Sequence, residues 1–212
     1  MEEIKGRQAK FDCIIMRGIQ NMKAYHLMGK SPYFTNCYMI CDDKGDGVLI
    51  DCSAEINKVK SILENDMVQL KAVLLTHGHK DHVETLAELR SEFSVPVYLG
   101  EADAELFAIE GTTPYTDLSN LEFGDIKIFT IATPGHTLGG YCLKCEDMLF
   151  TGDTLFAGTV GRTDLEGGDY DTLMASLKKL KEFVKSDLKV LPGHNHFSTM
   201  EQERAQNPYL KK

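Results

Sequence analysis

Residues 72–82 read Ala-Val-Leu-Leu-Thr-His-Gly-His-Lys-Asp-His. Val73, Leu74 and Leu75 are apolar at successive positions, so a strand here has both faces covered, as in layered α/β folds. Within the next seven residues come His77, His79, Asp81 and His82. A strand that ends in a cluster of lone-pair donors fits an α/β binding site, because ligands of open sheets sit beyond the carboxyl ends of strands.

The pattern recurs three times. His136 lies in Thr133-Pro134-Gly135-His136-Thr137, after a strand expected over 126–132. Asp153 lies in Thr151-Gly152-Asp153-Thr154, after one expected over 148–151. His194 and His196 lie in Pro192-Gly193-His194-Asn195-His196, after one expected over 188–191. Of seven histidines only His26 stands apart, and it reads as a surface or core residue. Four strand ends would deliver imidazoles and a carboxylate to one edge, and those donors suit zinc, iron or manganese. Glycines beside His77, His136, Asp153 and His194 permit the tight turns that aim such side chains.

Around these motifs the chain alternates strands (also 36–41, 47–51, 72–76, 95–99 and 139–144) with helices (55–64, 83–93, 101–110, 172–185 and 199–206). The helix from Thr172 is the clearest: Leu173, Leu177, Leu180, Phe183 and Val184 form one apolar stripe, and Asp171 is its expected cap. No linker, charge block or repeat divides the 212 residues, so one α/β domain over 1–212 is expected.

Composition narrows the function classes. Apolar residues make up 42% and charged residues 26%, which excludes intrinsic disorder. Twenty-three basic against 32 acidic residues give a net charge of −9 and argue against a nucleic-acid partner. The longest apolar run is Cys37 to Cys41, far short of the roughly 20 residues of a membrane helix. Residues 1–10 lack the apolar stretch of a secretory signal, so a cytoplasmic location is expected. Six cysteines (13, 37, 41, 52, 142 and 145) then read as reduced thiols. Cys142 and Cys145 have knuckle spacing but lie in a strand, where positions i and i+3 face opposite sides, so they are not expected to form a site.

The order His-x-His-x-Asp-His, Pro-Gly-His-Thr, Gly-Asp-Thr, Pro-Gly-His resembles the metallo-β-lactamase-fold hydrolases. Within them it is most similar to the short bacterial form of glyoxalase II, the hydroxyacylglutathione hydrolases. Asn36-Cys37-Tyr38, the run 149–165 (LFTGDTLFAGTVGRTDL) and Asn207-Pro208-Tyr209-Leu210 support the likeness, which extends from about residue 35 to residue 210. It implies an αββα sandwich of two facing mixed β-sheets with the site along one edge. Carried over by position, His77, His79 and His136 would hold one metal, Asp81, His82 and His194 a second, and Asp153 would bridge both.

The implied cofactors are two divalent ions per chain, zinc first, with iron and manganese also suited. The implied reaction is attack of a metal-bridging hydroxide on a small-molecule thioester such as S-D-lactoylglutathione, with Asp81 and Asp153 catalytic. Arg162 takes the position of a glutathione-contacting basic residue, or else forms a structural pair with Asp164; His196 takes a pocket-lining position. Asp164 and His196 stand where longer glyoxalase II enzymes place tyrosines, and no carboxyl-terminal glutathione-binding helical domain is expected. The alternatives are a mononuclear iron persulfide dioxygenase of the same fold, a hydrolase of another thioester or a lactone, and a metal-binding protein without catalysis. The oligomeric state is not written in the sequence.

Overall fold

In the computed structural model, which describes residues 14–18 and 22–211, the alternating apolar positions sort the strands into two facing mixed sheets. The first runs in the order β1 (Ile14–Arg17), β2 (Lys23–Met28), β3 (Asn36–Cys41), β4 (Asp46–Ile50), β5 (Gln69–Leu74), β6 (Val97–Leu99), β7 (Thr113–Pro114). The second runs β8 (Ser119–Phe123), β9 (Ile126–Ala132), β10 (Tyr141–Cys145), β11 (Met148–Gly152) and, past the short hairpin of β12 (Leu155–Phe156) and β13 (Thr159–Val160), β14 (Lys189–Pro192) and β15 (Ser198–Thr199). The first sheet is antiparallel up to β4 and parallel beyond it. In the second, only the β11–β14 pair is parallel.

The period-2 alternation of strand side chains builds the layers. In β3, Cys37, Met39 and Cys41 face outward and pack with Val73 and Leu75 against α1 (Ile56–Asn65) and α2 (Leu86–Glu92). Tyr38 and Ile40, with Ala72 and Leu74 of β5, face inward to Ile126, Ile128, Phe150 and Leu191 of the other sheet. Behind that sheet, Ile131, Cys142, Leu149 and Val190 meet Leu177 and Leu180 of α4 (Tyr170–Phe183) and Met200 of α5 (Met200–Gln206). The result is the expected αββα sandwich. Both sides of β5 are covered, as its run of apolar residues requires. Among the described residues, no helix is long and apolar enough to cross a membrane.

Several boundaries differ from expectation for local reasons. The helix expected from residue 83 begins at Leu86, because turns from His79 to Val83 bring Asp81 and His82 back to the sheet edge. The helix expected over 101–110 is α3 (Glu101–Leu106) and stops where Ala108 turns left-handed at φ 51°. The cap of α4 is Asp169, not Asp171: Asp169 is extended and its side chain accepts from Thr172 N, while Asp171 lies in the first turn. Strands β1, β2 and β8 were not expected, and β8, Ser-Asn-Leu-Glu-Phe, is a polar edge strand that hydrophobic patterning does not mark.

Cys142 and Cys145 enter different core layers, as their spacing in a strand requires. Cys37, Cys41, Cys52, Cys142 and Cys145 are free and buried, and Cys13 lies outside the described residues. Burial pushes the thiols up, to about 12 for Cys41, Cys52 and Cys145 and about 11 for Cys142. Reactivity belongs to the thiolate. Iodoacetamide at pH 8 is therefore expected to leave these five residues unmodified in the folded protein and to label all five in denaturant, read by peptide mass mapping. Rapid labelling of Cys142 or Cys145 in the folded state would contradict the packing.

Candidate metal centre

The two sheets are tied at one edge, where Tyr141 N donates to Thr76 O at 2.8 Å and Asn36 N to Gly193 O at 2.7 Å. The loops leaving β5, β9, β11 and β14 end at that edge and carry His77, His79, His136, Asp153 and His194. Two glycines make the approach possible. Gly135 holds φ 128°, and a Cβ there would sit 2.3 Å from Leu173 N. A Cβ on Gly193 would lie 2.4 Å from both Asp153 Oδ1 and His82 Cε1. Larger residues would push the His136 and His194 loops away from the cluster.

The seven residues nominated for metal binding converge. Ligand atoms of His77, His79 and His136 lie within 4.8 Å of one another, as do those of Asp81, His82 and His194, and those of His77, His82 and Asp153. Asp153 stands between the two triads: Oδ1 is 3.3 Å from His82 Nε2, and Oδ2 is 3.5 Å from His136 Nε2 and 3.6 Å from His194 Nε2. His194 Nε2 also lies 3.1 Å from Asp81 Oδ2.

The far sides of the rings are held. His82 Nδ1 donates to Asp51 Oδ2 at 2.7 Å, and His136 Nδ1 to the carbonyl of Arg162 at 2.7 Å. Each bond fixes the tautomer that turns Nε2 toward the cluster. Thr35 Oγ1 donates to Asp81 Oδ2 at 2.7 Å. Asn36 Nδ2 donates to the carbonyls of Pro192 and Asn195, bracing the His194 loop. Asp103, with no exposed surface, accepts from Gly78 N, Thr137 Oγ1 and Gly139 N.

The electrostatics suit a cation. Burial, then neighbouring imidazoles, push His77 well below the ordinary histidine range and His79 down to about 4, so both rings are neutral lone-pair donors. Burial would raise Asp153, but His82, His194 and His136 pull it below the usual carboxylate range. Three buried atoms, His77 Nε2, His82 Nε2 and Asp153 Oδ1, have no hydrogen-bond partner. Each costs about 1–3 kcal/mol as an orphan, and a shared cation would satisfy all three, displacing the proton that Asp51 and Asp153 favour on His82. Imidazole and carboxylate together fit zinc, iron or manganese.

A match to the Metallo-beta-lactamase superfamily covers residues 31–194. The chain belongs to that superfamily. It is 32% identical to the hydroxyacylglutathione hydrolase GloC of Haemophilus influenzae, over 82% of this chain and 92% of that protein. It is also 32% identical to the probable polyketide biosynthesis zinc-dependent hydrolase BaeB of Bacillus velezensis, over 84% of this chain and 78% of that one. A solved structure of TTHA1623 in a di-iron-bound form superposes with a TM-score of 0.77 at 31% identity, covering 87% of this chain and 99% of that one. The superfamily assignment makes the chain a metal-dependent hydrolase by family, and its histidine–aspartate cluster is suited to a metal site.

The other two nominated residues sit differently. Arg162 is engaged by Asp164 through two parallel hydrogen bonds, Nε to Oδ1 at 2.7 Å and Nη2 to Oδ2 at 2.6 Å. His196 is exposed, beyond Asn195, which turns left-handed at φ 67°. His26 is a core residue whose Nε2 donates to Asn36 Oδ1 at 2.7 Å.

Sequence reasoning missed three residues that hold the nominated ligands or their loops: Thr35, Asp51 and Asp103. Asp51 is the last residue of the strand expected over 47–51; β4 (Asp46–Ile50) ends one residue earlier, so Asp51 follows its strand as directly as His77 would follow a strand ending at Thr76. Asp103 carried no signal, lying in the first turn of α3 far along the chain from every ligand.

Proposed function

We propose that this chain is a binuclear metal-dependent thioester hydrolase of the glyoxalase II type. The observation that carries the reading is the pair of complete triads flanking Asp153. His77, His79 and His136 would hold one cation, Asp81, His82 and His194 the other, and Asp153 would touch both, with zinc the expected metal. Two cations so placed supply Lewis acidity, lowering the pKa of water from about 15.7 toward 7 and polarising a carbonyl oxygen.

The chain's residues do the rest. Asp81, whose carboxylate accepts from Thr35 Oγ1, would accept a hydrogen bond from the attacking water and so aim it. His82 and His136, locked by Asp51 and the Arg162 carbonyl, keep the ligand geometry from relaxing as charge develops. A thiol of pKa near 8.5 departs as thiolate, so no side chain is required to protonate it. The mononuclear dioxygenase alternative is disfavoured by the care with which the second triad is built, with Thr35 on Asp81 and Asp51 on His82.

Substrate contacts belong to Arg162 and His196 in this reading. The Arg162–Asp164 pair is exposed on both sides, 61% and 66%, so a carboxylate on the substrate competes with Asp164 for the guanidinium. Asp164→Asn frees that guanidinium and is expected to lower KM for S-D-lactoylglutathione about two- to fivefold, the size an exposed ion pair supports. An unchanged KM would assign the pair a purely structural role.

The test of the function is hydrolysis of S-D-lactoylglutathione by metal-replete protein, followed as loss of the thioester. Turnover with kcat/KM of at least about 10⁴ M⁻¹s⁻¹ is expected, the lower edge of ordinary enzyme efficiency. Absence of turnover on this and on uncharged thioesters would overturn the thioesterase reading.

A further inference from the structure

The geometry points to Asp103 as the positioning residue of one metal position, that of His77, His79 and His136. The inference rests on the reading of the cluster as two cation positions. Asp103 belongs to none of the motifs and lies on α3, yet its carboxylate reaches both loops that supply this triad. Oδ2 accepts from Gly78 N, the amide between His77 and His79, and from Thr137 Oγ1, the hydroxyl next to His136, each at 2.8 Å. Oδ1 accepts from Gly139 N at 2.5 Å. One buried side chain thus clamps the two ligand loops to each other.

The close packing of this clamp leaves no slack. A Cβ on Gly139 would lie 2.5 Å from Asp103 N, and one on Gly100, just before α3, 2.1 Å from the Gly139 carbonyl oxygen. Thr137 has no exposed surface and Gly78 packs against Phe107, whose ring also meets His79 edge-on at 5.2 Å between centroids. The other position has its own supports, Asp51 on His82 Nδ1 and Thr35 on Asp81 Oδ2. Asp103 thus spans both loops of its position, while Asp51 holds His82 directly and reaches His77 only through Thr76, whose hydroxyl meets His77 Nδ1 at 3.1 Å. Outer residues that orient metal ligands typically change affinity 10–100-fold when replaced.

Asp103→Asn keeps the side-chain volume but turns an amide NH₂ toward one of these donors, so one ligand loop must move. The experiment is cadmium titration of chelator-stripped protein, with affinities from competition against a chromophoric chelator and each position resolved by cadmium NMR. The three-imidazole position resonates downfield of the two-imidazole one, which separates them. Wild type is expected to fill both.

In Asp103→Asn the affinity of the three-imidazole position is expected to fall about 10–100-fold, with the other changed less than about threefold. Thr137→Val, which removes one donor and keeps the shape, is expected to weaken the same position to a smaller degree, and it decides the matter if Asp103→Asn does not fold. Equal losses at both positions, or no loss at either, would overturn the role of Asp103 while leaving the two-cation reading intact. A wild-type protein that takes up no cadmium overturns that reading and this inference with it.

Discussion

Asp153→Ala is expected to bind neither cation stoichiometrically and to lose at least about a thousandfold in turnover. The aspartate lies beside both triads, 3.3 Å from His82 Nε2 and 3.5 Å from His136 Nε2. Its removal takes one ligand from each position at once. It also removes the negative charge that offsets two cations crowded into one pocket. The Lewis-acid contribution is several kcal/mol, and 1.36 kcal/mol is a factor of ten in rate, so a thousandfold loss is the conservative figure. Metal content by elemental analysis and thioester hydrolysis should fall together. A variant that retains two ions per chain and more than about a tenth of the activity would remove Asp153 from the bridging role.

The second large effect is on stability. Asp51→Ala should destabilise the metal-free protein by about 3–5 kcal/mol, the usual cost of breaking a buried ion pair from one side. Asp51 and His82 are 2% and 0% exposed, and the pair is 2.7 Å long. Burial opposes a charge on His82, but the carboxylates of Asp51 and Asp153 outweigh it and raise the imidazole well above its ordinary range. Without Asp51 that ring keeps only the carboxylates on its Nε2 side, Asp153 at 3.3 Å and Asp81 at 3.7 Å, and its Nδ1 is left without an acceptor. Thr76 loses its acceptor too, since its amide and its hydroxyl both donate to Asp51 Oδ1, at 2.7 and 3.1 Å. Urea denaturation of chelator-treated wild type and variant would measure the difference. A loss below about 0.5 kcal/mol, the range of an ordinary surface change, would show that neighbouring groups take over the role of Asp51.

These two aspartates differ in how far the sequence revealed them. Asp153 sits in a motif, one residue beyond a strand and beside a glycine, and its spacing from the histidine motifs identified it. Asp51 sits in an equivalent place, but a lone aspartate after a strand is common and no partner stands near it in the chain. Its partners, Thr76 and His82, lie 25 and 31 residues away. Boundaries followed the same rule. Strand β3, marked by its own unbroken apolar run, was placed correctly at both ends, whereas the start of α2 depended on the turns that carry Asp81 and His82.

What could be read along the chain was everything carried by local order: the layered α/β class from the doubly covered strand, a cluster of histidines and aspartates from their strand-end motifs, which the family resemblance sorts into seven nominated ligands, and the opposite facing of Cys142 and Cys145 from period-2 geometry. Those features are written between near neighbours, where backbone periodicity translates spacing into direction. The supports of the site could not be read in this way. That Asp103 clamps the loops of His77, His79 and His136, and that Asn36 braces the His194 loop, are facts about side chains meeting across the fold. Such pairings depend on how two sheets close upon each other, and chain order does not encode the distance between residues that only packing brings together.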